Sequence, residues 1–473
     1  MLRIAALALA LLTAGPGLVA FRNGASRNGT ASPLSGADYV QIETLYGRSL
    51  HDLGLSADDG RAFAKSFASD GEWVLPTGSS RGQKAIAARS LASKGRRFWL
   101  TNLHVEPLPS GITGWGYVVQ SQGMAFVEAG LYQDVLVKTP GGWRVKTRTY
   151  HPGTTWPRAD LPNMMRGASS GTARTTTDYH EMENLIARYN VGYDNSGPFD
   201  KGLLSIQPFT PDTRFERING PTFTGAEAAK QSGGHAPLLH HWDTNLIIGV
   251  APGGDVSSVS YDLTFNVEQG GSPVKIGGVG LLHHRFVTTP EGWRIGYRRY
   301  EGVGTPPQIN WPSPELAPFS ATLAPEKPLK KGALSPADHV AIKQLYLLNN
   351  VALDSAAEGG RRFADTFTAD GVLVDGTRRA VGAQALAGVA AAHTPGLHRW
   401  ISNIWAEPSK GGATGRAYGF RLALKGEPGV AENQVREMVV YEDQLVKTAK
   451  GWRIKERRVT STLAPVAAAS PGA

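Results

Sequence analysis

The sequence predicts an α+β protein built from three tandem units, and three recurring marks predict it. Helix-start signals at Ser35, Thr175 and Ser335, a Trp-x-x-Asn motif at Trp99, Trp242 and Trp400, and a closing Gly-Trp-Arg at Gly142, Gly292 and Gly451 recur in the same order along the chain. A repeat this long marks tandem domains rather than a solenoid. A chain of 473 residues also exceeds what one core serves.

Each unit opens on a helix. Ser35-x-x-Asp38, Thr175-x-x-Asp178 and Ser335-x-x-Asp338 are capping boxes, in which the hydroxyl accepts from a free backbone N–H and the acid suits the helix N-terminus. Apolar residues then return every three or four positions: Ile42, Leu45 and Tyr46; Met182, Leu185, Ile186, Tyr189 and Tyr193; Ile342, Leu345, Tyr346 and Leu353. That spacing gives each helix one buried face. A second helical stretch is expected around Phe63 to Phe67 and Phe363 to Phe367, ending at Ser69-Asp70-Gly71 and Ala369-Asp370-Gly371, with a looser middle copy rich in proline. Gly82, Gly225 and Gly382 each open a short Ala-rich helix, and Trp-x-x-Asn leads into strands. Alternating runs from Gly130, Gly280 and Val439, joined by a Gly-containing loop to Gly-Trp-Arg, read as antiparallel hairpins.

The resulting layout is a leader and start over 1–32, units over 33–152, 174–302 and 333–462, linkers over 153–173 and 303–332, and an Ala/Pro tail over 463–473. Arg3, the apolar stretch from Ile4 to Leu12 and Ala20 read as an export signal, so a secreted or periplasmic location is expected. No apolar run is long enough for a transmembrane span. With no cysteine, disulfides, thiolate metal ligands and a cysteine nucleophile are excluded. The net charge of +9 is spread over scattered Lys and Arg, so no nucleic-acid partner is expected.

Helices first, then long antiparallel strands ending in Gly-Trp-Arg, with Asp at the end of helix one, resembles the SnoaL-like branch of the nuclear transport factor 2-like superfamily. The resemblance implies three cone-shaped units, each a curved antiparallel sheet wrapped around N-terminal helices, with an apolar pocket holding a few polar groups. The fold it implies is specific; the chemistry is not, since such cones include dehydratases, isomerases and binding modules.

The copies differ where chemistry would sit. The closing hairpins carry Tyr132-x-Asp134 and Tyr441-x-Asp443, but the middle one carries Leu282-x-His284. Strand alternation puts each pair on one face, where the Asp could pair with Arg148 or Arg457, or the pair could contact a ligand. The sheet His of the family falls on Phe98, His241 and Arg399, so only the middle copy retains it, beside His240 and Trp242. The end of helix one reads Gly54, Tyr193-Asp194 and Asp354. Tyr-Asp on this helix with His on the sheet resembles scytalone dehydratase, whose acid–base residues would carry over to Tyr193, Asp194 and His241. His284 is added on its own chemistry.

The expected catalytic set is therefore Tyr193, Asp194, His241 and His284, with Trp242, His240, Tyr132, Asp134, Tyr441 and Asp443 as ligand contacts. A Tyr and His pair can polarise a carbonyl while an Asp-oriented His removes a proton, which needs no cofactor or metal. A metal triad from His240, His241, His283, His284 and Asp194 is disfavoured because adjacent strand histidines point to opposite faces. The expected function is an exported protein binding a small apolar hydroxylated or carbonyl compound in the middle cone, with dehydratase or isomerase activity. The alternative is a non-enzymatic ligand-binding or assembly protein, with self-association through a sheet face left free by the array.

Overall fold

The structure is a computed structural model that describes residues 34–108, 111–153, 174–195, 206–217, 220–225, 227–228, 239–267, 271, 274–302, 317–328, 330–393, 396 and 398–461. The expected leader, the tail, linker residues 154–173 and 303–316 and most of the short helix expected after Gly225 lie outside the described residues.

The first cone runs α1 (Gly36–Leu55), α2 (Arg61–Ala64), β1 (Phe67–Leu75), β2 (Gly78–Arg81), α3 (Gln83–Ser90), β3 (Arg96–Leu108), β4 (Gly111–Gln122), β5 (Ala125–Thr139) and β6 (Gly142–Pro152). The middle cone has α4 (Thr176–Asn195), β7 (Phe209–Arg217), β8 (Thr222–Thr224), β9 (Leu239–Val250), β10 (Val256–Val267), β11 (Val274–Thr289) and β12 (Gly292–Gly302), and the linker adds β13 (Ala317–Pro318). The third has α5 (Pro336–Ser355), α6 (Arg361–Ala364), β14 (Phe367–Asp375), β15 (Arg378–Val381), α7 (Gly382–Ala391), β16 (Arg399–Ser409), β17 (Gly412–Ala423), β18 (Gln434–Thr448) and β19 (Gly451–Ser461). The sheet orders are β2-β1-β6-β5-β4-β3, β13-β9-β10-β11-β12-β7-β8 and β15-β14-β19-β18-β17-β16. In each sheet the first strand of the cone joins the last one in parallel, and the other pairs are antiparallel.

The capping boxes form. Ser35 and Ser335 accept from the N–H of Asp38 and Asp338 while those acids accept in return, and Thr175 does the same with Asp178. The same Asp residues accept from the indole Nε1 of Trp143, Trp293 and Trp452 at 3.0, 2.9 and 2.8 Å. Gly-Trp-Arg therefore ties the last strand to the start of the first helix in every cone. One expectation fails: Ser69-Asp70-Gly71 and Ala369-Asp370-Gly371 do not end a helix. They lie inside β1 and β14, where the register shifts between Phe67 and Glu72 and between Phe367 and Val372. The apolar spacing of that segment marks a single helical turn followed by a bulged strand.

The three sheets close into a ring. Their convex faces share one core in which Trp99, Trp242 and Trp400 are fully buried with Phe126, Phe265 and Phe420. Rings from different cones meet directly: Trp99 with Phe420, Phe126 with Phe265, and Tyr261 with Trp400, at 5.3, 5.0 and 5.4 Å between centroids. The Asn of each Trp-x-x-Asn motif sits at a bulge with φ in the left-handed region, 51° at Asn102, 50° at Asn245 and 52° at Asn403, which asparagine tolerates. Its amide then acts as a substitute peptide group toward the next cone. Asn102 donates to the His241 carbonyl at 2.6 Å and accepts from Asp243 N; Asn245 does so with Arg399 and Ile401; Asn403 does so with Phe98 and Leu100. First to second, second to third and third to first, the contact is head-to-tail and closes after three copies. The convex faces are therefore covered within the chain, and the free sheet face expected from the sequence is not found among the described residues.

Helices α1, α4 and α5 converge on the ring axis. Glu43, Glu183 and Lys343, at equivalent helix positions, meet there: the Lys343 ammonium lies 3.0 Å from Glu43 and 2.7 Å from Glu183. A cavity of about 150 Å³ lies beside them, lined by the three Asn residues and Gly47, Ala187 and Leu347.

Candidate functional site

Inside the middle cone, helix α4 delivers Tyr193 and Asp194 to strand β9. The Asp194 carboxylate accepts from His241 Nδ1 at 2.5 Å and from the His241 backbone N–H at 2.7 Å. Tyr193 packs edge-on against the imidazole, with centroids 5.1 Å apart. Burial alone would lower the His241 pKa, but the charge and hydrogen bond of Asp194 outweigh it and raise it to about 9. Asp194 thus favours the imidazolium form of His241 at neutral pH.

Two further acids face the same interior and were not picked out from the sequence. Asp243 on β9 and Asp262 on β10 are direct cross-strand partners. Both Asp243 oxygens and Asp262 Oδ1 are buried without a donor, and the Asn190 amide beside Asp243 is itself unpartnered. Burial and then mutual repulsion raise the Asp243 pKa, and burial raises that of Asp262, so the pair retains a proton well above the usual carboxylate range. The signal was readable: the equivalent residues in the outer cones are Leu100 and Val118, and Ile401 and Gly419, so two acids in the middle stand where the fold wants apolar side chains.

The outer cones do not repeat this arrangement. In the third, Asp354 accepts from the Arg399 backbone at 2.8 Å and its guanidinium at 2.7 Å, so a fixed cation replaces the imidazole. In the first, a Cβ on Gly54 would lie 2.3 Å from the Arg96 carbonyl, and Phe98 takes the sheet position. Neither cone has an acid–base dyad here.

Four of the six expected ligand contacts are structural pairs. Asp134 accepts from Arg148 Nε at 3.0 Å and Nη2 at 2.6 Å, with both side chains fully buried, and Asp443 holds Arg457 likewise at 2.9 and 2.7 Å. Tyr132 and Tyr441 pack flat on those guanidinium groups, 4.6 and 4.5 Å from ring centroid to Cζ. The other two, His240 and Trp242, lie on the convex face because strand alternation turns them away from His241. His240 stacks on Tyr117 of the first cone at 4.5 Å, and Trp242 is buried in the shared core. Burial lowers the His240 pKa to about 4, which suits a neutral interface residue. His284 does face the interior, on β11 opposite Arg298, with Nδ1 3.4 Å from Ser258 Oγ. Its contacts are these, not Asp194 or His241. His283 lies beside Glu301, with Nε2 3.3 Å from its carboxylate.

Glu43, His180 and Glu183 bring three potential metal-ligand atoms within 4.8 Å of one another on the ring axis. The Lys343 ammonium already bridges both glutamates there, so the cluster supplies its own cation.

The SnoaL-like domain family model matches residues 37–149, 174–299 and 335–458, once in each cone. Among solved structures, a Nostoc punctiforme protein of unknown function with a cystatin-like fold is 19% identical over 27% of this chain and 99% of its own, with a TM-score of 0.24. Aln2 from a Streptomyces species is 25% identical over 24% and 89%, with a TM-score of 0.22. ActVI-ORFA from Streptomyces coelicolor is 21% identical over 24% and 96%, also at 0.22. Comparison with curated proteins gives no match.

Proposed function

Since the chain belongs to the SnoaL-like domain family, with one such domain in each cone, we propose that the middle cone binds a small hydroxylated or carbonyl compound and moves a proton on it without a metal, while the outer cones serve as scaffold. The observation that carries this reading is the Asp194–His241 dyad with Tyr193 against it, found in the middle cone and replaced by an ion pair or by apolar residues in its neighbours. On this reading Tyr193, Asp194 and His241 take the acid–base roles that the resemblance to scytalone dehydratase implies for them. The imidazolium protonates a departing hydroxyl or a carbonyl oxygen, and the Asp243–Asp262 pair, on the adjacent strands β9 and β10, takes the carbon-bound proton. The net result is elimination of water or isomerisation, an activity of the lyase or isomerase class.

Enolisable ketones and β-hydroxy ketones incubated with the full chain in deuterated water, followed by NMR, test this. Wild type should exchange or eliminate, and His241→Gln should be slower by roughly 10²- to 10⁴-fold. Equal rates in the two proteins would sink the catalytic reading. Saturable binding without turnover in either would favour the non-enzymatic ligand-binding alternative. We also propose export by the leader over 1–32, tested by fractionation and N-terminal sequencing of the mature protein.

A further inference from the structure

The closing arginine occupies equivalent positions in all three cones, and its counter-charge is missing from one. Arg148 and Arg457 lie directly opposite Asp134 and Asp443 in register, and each guanidinium is neutralised through Nε and Nη2. Arg298 lies opposite His284. Burial and the positive charge of Arg298 push the His284 pKa well below its ordinary value, so the imidazole is neutral and brings no negative charge. Among the described residues Arg298 makes no ion pair or hydrogen bond. It rests between the rings of Tyr189 and Phe215, 4.6 Å from each centroid, and its Nε is a buried donor without a partner. His284 Nε2 and Ser260 Oγ, on the same interior face, are also buried and unpartnered.

The space around this group is altered in the same direction. In the outer cones the hydroxyls of Tyr46 and Tyr346 press on Gly114 and Gly415, where an added Cβ would lie 2.4 and 2.5 Å away. The middle cone has Ile186 in place of that tyrosine and Ser258 in place of that glycine, and Leu282 in place of Tyr132 and Tyr441. Two tyrosines thus give way to aliphatic side chains beside a cation that has no ion pair among the described residues, and a hydroxyl stands where the outer cones have glycine. A buried charge without a partner is costly to the fold, so an external partner is the simplest explanation. Asp243 and Asp262 also face this interior and interact electrostatically with Arg298, but among the described residues neither forms an ion pair with its guanidinium as Asp134 and Asp443 do with theirs.

Resting on the proposal that the middle cone takes a small molecule, we propose that its substrate is a carboxylic acid whose carboxylate is received by Arg298, as Asp134 and Asp443 are received by Arg148 and Arg457. The planar guanidinium fork suits a carboxylate, and the outer cones show that pairing within the same molecule. The acid group is then anchored at β12, leaving the rest of the substrate to reach toward the Asp194–His241 dyad.

Calorimetric titration of the full chain with benzoate, phenylacetate and 2-naphthoate, each against its primary amide, tests the assignment. At least one acid should bind about tenfold or more tightly than its amide. Arg298→Met should abolish that preference. His284→Asp, which rebuilds the outer-cone pair, should abolish acid binding while leaving the circular dichroism spectrum and thermal midpoint intact. No acid preferred over its amide, or undiminished acid binding in a folded His284→Asp protein, would overturn the proposal. Acid-selective binding with no turnover would leave the anchor standing and remove the catalytic reading. Turnover of neutral ketones with no preference for acids would do the reverse.

Discussion

Where Arg148 meets Asp134 and Arg457 meets Asp443, Arg298 meets His284, and the cones around these pairs differ accordingly. The outer two fill their interiors with tyrosines laid on a guanidinium that an aspartate neutralises. The middle one keeps the arginine between Tyr189 and Phe215, has His284 in place of the carboxylate and Ile186 and Leu282 in place of the outer tyrosines, and adds the Asp194–His241 dyad and the Asp243–Asp262 pair. On the proposed reading, three domains of one family are divided between holding a shape and presenting reactive groups. The ring makes that division possible, because each cone is buttressed by its neighbours through the shared tryptophan core and the three asparagine bridges.

The largest expected effect breaks the outer pairs. Asp134→Ala or Asp443→Ala leaves a buried guanidinium unpaired and should cost about 3–5 kcal/mol in denaturant unfolding. His284→Ala, at the equivalent place, should cost no more than ~1–2 kcal/mol, the scale of one neutral side chain that makes a single long hydrogen bond. Equal losses at all three positions would erase the distinction between scaffold and site.

Next come the bridges that the cones share. Asn245→Ala removes two hydrogen bonds to the third cone and places alanine at a positive φ, for an expected loss of roughly 1–3 kcal/mol. Asn245→Gly relieves the backbone term alone, so a smaller loss for glycine would show how much comes from each. The thermal midpoint reports both, and no loss in either variant would mean that the tryptophan core closes the ring without the amides.

The axis gives a pH dependence. Burial opposes protonation of His180, but Glu43 and Glu183 raise its pKa to about 9 from 6.5. The folded-state pKa is the higher one, so this stabilisation is fully present below pH 6.5 and is lost as the pH rises through about 9. Unfolding curves measured across that window should fall less steeply in His180→Gln, and an unchanged slope would rule the group out. The smallest effect should be uniform. Trp143→Phe, Trp293→Phe and Trp452→Phe each remove one indole bond to a capping Asp and should each cost about 1 kcal/mol. A markedly larger loss in the middle cone would show that its scaffold, and not only its interior, has diverged.

The threefold repeat, the capped helices, the closing hairpins and the contrast of Tyr193, Asp194 and His241 with their counterparts could all be read from the chain. They depend on spacing and on which residue types recur, and local periodicity reports both. The facing of each side chain was partly readable as well. Alternation places His240 and Trp242 opposite His241, yet it does not say which face is concave, so both were expected at the ligand and both lie between cones. Asp243 and Asp262 are far apart in the chain and become a pair only through the β9–β10 register, although their apolar counterparts in the outer copies would have flagged them.

Sequence alone determined that there are three cones, that they are unequal, and that the middle one joins Tyr193 and Asp194 on its helix to His241 on its sheet, because these are properties of residues compared at matching positions. Tertiary structure decided how the copies meet. The Trp-x-x-Asn motif becomes a ring closure because a left-handed asparagine can present its amide to a neighbouring backbone, and Glu43, Glu183 and Lys343 become one charge cluster because three helices reach a common axis. It also decided that His241 favours its protonated form, since the proton affinity of an imidazole is set by the carboxylate 2.5 Å away and not by its place in the chain.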